Sequence, residues 1–144
     1  VMEHLTGLDY IDIAVSPPDT VGIGDLAYIT ALDSFAQWCR LQPEAGMVTS
    51  FADVVKQIHH ALRGYRPGTH TIPSASKVRR ITQKYTEERL HETTDWYVAS
   101  DTGSTRIRMF VGAVSSRELR GLEKRILHRI ANCLPAGMSA AVGG

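Results

Sequence analysis

Val48-Thr49-Ser50-Phe51-Ala52-Asp53-Val54-Val55-Lys56 joins a short β-like run directly to a capped helix, and its reading fixes the organisation of the chain. Met47-Val48-Thr49 reads as a short strand. Ser50 is followed three residues later by Asp53, the spacing of a capping box, with Asp in place of the usual Glu or Gln. The helix opened there runs to about Leu62 and stops at Gly64, whose missing side chain suits a helix end. The stretch therefore ends a strand-helix-strand unit and begins an insert.

Upstream, Leu8-Asp9-Tyr10-Ile11-Asp12-Ile13-Ala14-Val15 alternates apolar and polar residues, the pattern of a strand with one buried face, and Pro17-Pro18 stops it. From Asp25 to Leu41 apolar residues at Ile29, Leu32, Phe35 or Ala36, and Cys39 recur at helical spacing. Asp25 suits the positive N-terminal end of that helix, and Pro43 lies just past its stop.

Downstream, residues 65–73 read as a loop with Pro67, Gly68 and Pro73. A helix from about Ala75 to His91 follows, with Val78, Ile81, Tyr85 and Leu90 striping it among bases. Trp96-Tyr97-Val98-Ala99-Ser100 and Thr105-Arg106-Ile107-Arg108-Met109-Phe110-Val111 flank Asp101-Thr102-Gly103-Ser104, which has hairpin turn chemistry. Ser115 and Glu118 form a second capping box, opening a helix striped by Leu119, Leu122, Ile126, Ile130 and Cys133 that ends at Pro135 and Gly137. Met138 to Val142 is a last short strand.

The order is β-α-β, a two-helix insert, then β-β-α-β. Split βαβ units of this kind make an α+β, ferredoxin-like sandwich: an antiparallel sheet with helices on one face. The expectation is one domain over residues 1–144, with core segments 5–50 and 95–143 and a helical insert at 51–92. Right-handed crossovers set the two crossover helices side by side and parallel, placing Cys39 and Cys133 at one end of the domain. In an oxidising compartment Cys39 and Cys133 could form a disulfide if their Cα atoms lie within about 7 Å. Both sit on apolar stripes, however, where free cysteines behave as small hydrophobes, and that reading is preferred.

The 144 residues, 43% hydrophobic and 22% charged, suit one soluble domain rather than a disordered chain or coiled coil. No apolar run approaches the roughly 18 to 20 residues that cross a bilayer, and residues 1–20 lack a signal-peptide pattern. Net charge is +1 but unevenly spread: residues 1–53 carry −7, residues 54–91 carry +6 and the remainder +2. The basic segment either packs beside the acidic one or forms a surface for anionic headgroups or an acidic partner.

Several chemistries fail on context. Gly22-Ile23-Gly24-Asp25-Leu26-Ala27 fits G-x-G-x-x-A, with Glu44 twenty residues beyond Gly24, but six residues separate it from the preceding strand and the next strand is too weak for a parallel Rossmann sheet. His59 and His60 are adjacent and point to different sides of one helix, and no C-x-x-C or H-x-x-x-H completes a metal set. No nucleophile elbow marks a catalytic centre, so no catalytic, cofactor or metal residue is assigned. A ferredoxin-like sheet is also an RNA-binding scaffold, yet Arg106 to Gly112 lacks the spaced aromatics that stack bases, and no nucleic-acid partner is expected.

Taken in order, Gly7-Leu8-Asp9-Tyr10-Ile11-Asp12-Ile13, Leu32-Asp33-Ser34-Phe35, Val48 to Lys56, Ala61-Leu62-Arg63-Gly64, Ile72-Pro73-Ser74, Gln83-Lys84-Tyr85, Thr105-Arg106-Ile107-Arg108 and Ser116-Arg117-Glu118-Leu119 carry a family resemblance. The chain resembles an extracytoplasmic (periplasmic) porter domain of the resistance-nodulation-division (RND) superfamily, in its MMPL-like branch of predicted exporters. The match covers about residues 5–142, and its order and spacing are more specific than any single motif.

The resemblance implies a part of a proton-driven bacterial inner-membrane pump with two such domains, working with lipid-like or hydrophobic cargo. The implied partners are the transmembrane helices and second porter domain of the same pump, with a homo-oligomer of the full-length protein as a candidate assembly. The proton-relay carboxylates of that family lie in membrane helices, so none is assigned here. The insert would be the contacting element, with Arg79, Arg80 and Lys84 as its candidate interaction surface. The competing class is a stand-alone ferredoxin-like binding or regulatory module.

Overall fold

Alternation along two segments decides the sheet. In the strand Asp9–Ser16 (β1), Ile11, Ile13 and Val15 are buried, and in Thr105–Val111 (β3) so are Ile107, Met109 and Val111. The two pair antiparallel, Ile13 opposite Ile107, so one register puts both apolar sets on the same face. The structure, a computed structural model, describes residues 9–89, 97–99 and 103–143. Their remaining elements are α1 (Leu26–Arg40), β2 (Ala45–Ser50), α2 (Phe51–Leu62), α3 (Ala75–Arg89), α4 (Ser116–Cys133) and β4 (Ser139–Gly143).

The sheet order is β2-β3-β1-β4 and every pairing is antiparallel. With α1 and α4 as crossovers, this is the ferredoxin-like split βαβ arrangement expected from the sequence, with a helical insert after β2. The caps also fall where the sequence puts them. Asp25 accepts a hydrogen bond from the Tyr28 amide at 3.1 Å and caps α1. Ser115 and Glu118 exchange reciprocal bonds of 3.0 and 3.1 Å at the start of α4. No helix among the described residues is long and apolar enough to cross a membrane.

The expected hairpin strand Trp96 to Ser100 is found in part. Its described residues make only an isolated bridge, Val98 opposite Thr105, with the Ala99 amide donating to the Ser104 carbonyl at 3.0 Å and the Arg106 amide to the Tyr97 carbonyl at 2.9 Å. Trp96, Ser100, Asp101 and Thr102 lie outside the described residues. The pairing is short because two segments share one edge of β3. β1 pairs with its whole length on the other side, and β2 holds this edge from Ile107 onward, where Ser50 is the last partner. Residues 97–99 take up the edge where β2 leaves it and run in the same direction, forming a short hairpin with residues 104–106 beyond the end of β2.

The insert is outside the βαβ unit in topology but not in packing. Phe51, Ala52 and Val55 of α2 and Val78 and Ile81 of α3 join Ile29, Leu32 and Phe35 of α1 in one buried cluster. Gly24, part of the sequence that mimics a dinucleotide fingerprint, has a packing role: a Cβ there would lie 3.2 Å from Cβ of Thr82 on α3. Both cysteines are free, Cys39 buried and Cys133 exposed. Cys133 therefore departs from the expected buried position. It is the last residue of α4, past the fully buried Leu122 and Ile126, where no described element covers it.

Two buried protons tie stability to alkaline pH. The Tyr28 hydroxyl donates to the Val15 carbonyl at 2.6 Å and lies 2.7 Å from Oγ1 of Thr105, joining α1 to β1 and β3. Burial pushes its pKa from 10.0 up to about 12, against the opposing hydrogen bond from Thr105. Burial likewise pushes the Cys39 thiol from 9.0 to about 12, with Arg129 and Arg40 opposing. Both folded values lie above the unfolded ones, so the folded state holds these protons more tightly. Their contribution is complete below pH 9 and is lost as pH rises towards about 12. Denaturant stability is expected to fall through that window, by on the order of 1.4 kcal/mol per pKa unit for each group. Tyr28→Phe and Cys39→Ala should each flatten the slope; a slope unchanged in both would contradict the assignment.

Candidate functional site

Helix α2 has two apolar stripes. Phe51, Ala52, Val55 and His59 face the core, while Val54, Ile58 and Leu62, spaced by four, lie on an adjoining face that the core leaves partly open. Ile81 and Tyr85 of α3 stand opposite, and Tyr97 closes one side, giving an apolar groove of about 920 Å³. Phe51 anchors the wall from beneath, its ring edge-on to Tyr85 at 5.2 Å.

The groove rim is polar. Asp53 sits there but is already engaged: Arg40 reaches Oδ2 at 2.8 Å, the Ser50 amide donates to the same oxygen at 2.9 Å, and Arg40 also donates to the Val48 carbonyl at 2.9 Å. This fastens the β2–α2 junction to α1. Lys84 is 3.7 Å from Glu88, both exposed, a pair that contributes little. Arg80 and His70 complete the polar rim. Of the residues expected as an interaction surface, Arg80 and Lys84 are brought together on the groove. Arg79 is not: its backbone lies against the loop at Gly24.

A smaller cleft of about 190 Å³ adjoins the groove, lined by His59, Leu62, Arg63, Lys77, Arg80 and Ile81. Leu62, Arg80 and Ile81 line both cavities. Burial, then the nearby Lys77, Arg63 and His60, hold the His59 imidazole below its ordinary pKa. Beyond α2, His60 contacts Thr69 Oγ1 through Nδ1 at 2.8 Å and packs edge-on to Tyr65 and His70. Among the described residues no group of three His, Cys, Asp or Glu side chains is placed to hold a metal ion.

The charge asymmetry resolves only in part into contacts. Lys56 pairs with Asp33 at 2.8 Å, but Asp12 and Glu44 are taken by Arg108 and Arg125 from the C-terminal third. Among the described residues Arg63, Lys77 and Arg80 have no carboxylate partner.

The open face of the sheet holds a cluster that sequence reading missed. Tyr10 and Phe110 are register partners with ring centroids 6.1 Å apart, and the Arg108 guanidinium lies 3.8 Å over the Tyr10 ring. Asp12 binds that guanidinium at 2.8 and 2.9 Å, so its charge is already matched there. The aromatic pair was hidden because its members are far apart in sequence. The second stripe of α2 was missed as well, although the spacing of Val54, Ile58 and Leu62 carries its signal. No family model, curated protein or solved structure matches the chain.

Proposed function

We propose that this chain is an extracytoplasmic, periplasmic porter domain of a proton-driven RND/MMPL-type exporter, in which the α2–α3 groove forms part of the path for lipid-like or hydrophobic cargo. The groove is the observation that carries the reading: an apolar channel wall with a charged rim accommodates a chain and a polar head together. The motif order set out above supports it independently. The domain performs no chemistry in this reading. Proton movement in membrane helices supplies the energy, and the sheet-and-helix sandwich transmits it as rigid-body motion that opens and closes the path.

Two experiments test it. The reading frame around the fragment should continue on both sides into apolar runs of roughly 20 residues; a short frame without them favours the stand-alone binding module instead. In the full-length protein, combining Leu62→Glu, Arg80→Glu and Lys84→Glu alters only exposed groove residues. It should lower export of a hydrophobic tracer by roughly tenfold or more at unchanged protein level. Arg79→Glu, off the groove, should export normally. Full export by the triple variant would overturn the proposal.

A further inference from the structure

The small cleft between the end of α2 and the start of α3 is cationic. Arg63, Lys77 and Arg80 line about 190 Å³ together with His59, and among the described residues no carboxylate lines it. Such charges repel one another, and water screens that repulsion only partly in a cleft. Helix placement adds to the imbalance. The end of α2 is the negative pole of its dipole and offsets Arg63 in part. The first turn of α3 is a positive pole, contains no acid and carries Lys77. Three permanent cations around a cavity of this size match a multiply charged tetrahedral anion, which two guanidinium forks can hold through paired oxygens.

The cleft does not stand alone, since Leu62, Arg80 and Ile81 form a wall shared with the apolar groove. We propose that the two cavities are one site for an amphiphile, in which Arg63, Lys77 and Arg80 hold a phosphate head group while its hydrocarbon chain lies along Val54, Ile58 and Ile81. The inference rests on the reading of the groove as a cargo site and adds the class of head group. His59 then has a role as well: the ionisable groups around it are His60 on α2, Arg63 at the C-terminal cap of α2, and Lys77 and Arg80 on α3, and a bound phosphate offsets most of the positive field at its ring.

Calorimetric titration of the protein at neutral pH with inorganic phosphate and with dodecyl phosphate, dodecanoate and dodecyl maltoside, the three alkyl compounds below their micelle concentrations, tests this. Dodecyl phosphate should bind at least about tenfold more tightly than the other three. Lys77→Glu and Arg63→Glu, both exposed and checked by circular dichroism, should each remove most of the preference over maltoside, whereas Arg79→Glu should keep it. The His59 imidazole, followed by NMR, should titrate at higher pH with dodecyl phosphate present. Equal binding of phosphate and maltoside overturns the head-group site and leaves the groove reading standing; equal binding of dodecanoate overturns the choice of phosphate. Inorganic phosphate binding as tightly as dodecyl phosphate overturns the joined site. Binding of no alkyl compound defeats both this inference and the groove reading.

Discussion

Replacing Phe51 by alanine is expected to lower the unfolding free energy by about 3–5 kcal/mol, the usual cost of emptying a fully buried aromatic site. Phe51 is the first residue of α2 and is wholly inaccessible to solvent. It belongs to the buried core and packs edge-on against the Tyr85 ring of α3, so its removal empties a site in that core. Against a typical total of about 5–15 kcal/mol, the loss would leave a marginal domain. The same change removes the support beneath the groove wall at Tyr85, so ligand affinity should fall with stability. Phe51→Leu should recover most of the loss by refilling the volume. Urea unfolding of both variants checks this; a Phe51→Ala loss below about 1 kcal/mol would show that the residue is not part of the core.

The second large effect belongs to Lys56, whose Nζ lies 2.8 Å from Oδ1 of Asp33 with the two side chains only 14% and 18% exposed. Lys56→Met strands a mostly buried carboxylate and should destabilise the fold by about 3 kcal/mol. Removing the partner too, in Asp33→Leu with Lys56→Met, should return stability to within about 1 kcal/mol of the parent, because apolar packing replaces the pair. That recovery separates a desolvated ion pair from a surface one. If the single and double variants lose the same amount, the pair does not couple α1 to α2 energetically.

The junction from Val48 to Lys56 combines both effects, and its reading from sequence was close. The strand end, the Ser50–Asp53 spacing and the helix that follows are local features, and Asp53 does accept the Ser50 amide. What spacing could not show is that Arg40 grips the same carboxylate from another helix, or that Lys56 reaches Asp33. The three bases assigned to one surface illustrate the limit. Arg79 and Arg80 are neighbours in sequence, but successive helical residues point about 100° apart, so Arg80 lines the groove and Arg79 does not. The hairpin at residues 96–111 shows both sides of this. Turn chemistry at 101–104 is a local signal, and residues 97–99 do pair with 104–106, but the length of that pairing is limited by β2, which holds the edge of β3 from Ile107 onward.

By itself the sequence determined the α+β class, the order of the main elements, the caps and most of the buried faces, because alternation, helical spacing and capping residues act between positions at most about four apart. Only the tertiary structure decided which edge residues 97–99 share, that the insert joins the main core, that Cys133 is exposed, and that an apolar groove and a cationic cleft meet at Arg80. Each of these depends on which distant residues compete for one strand edge or cover one helix face. Packing settles that competition, and no local pattern encodes it.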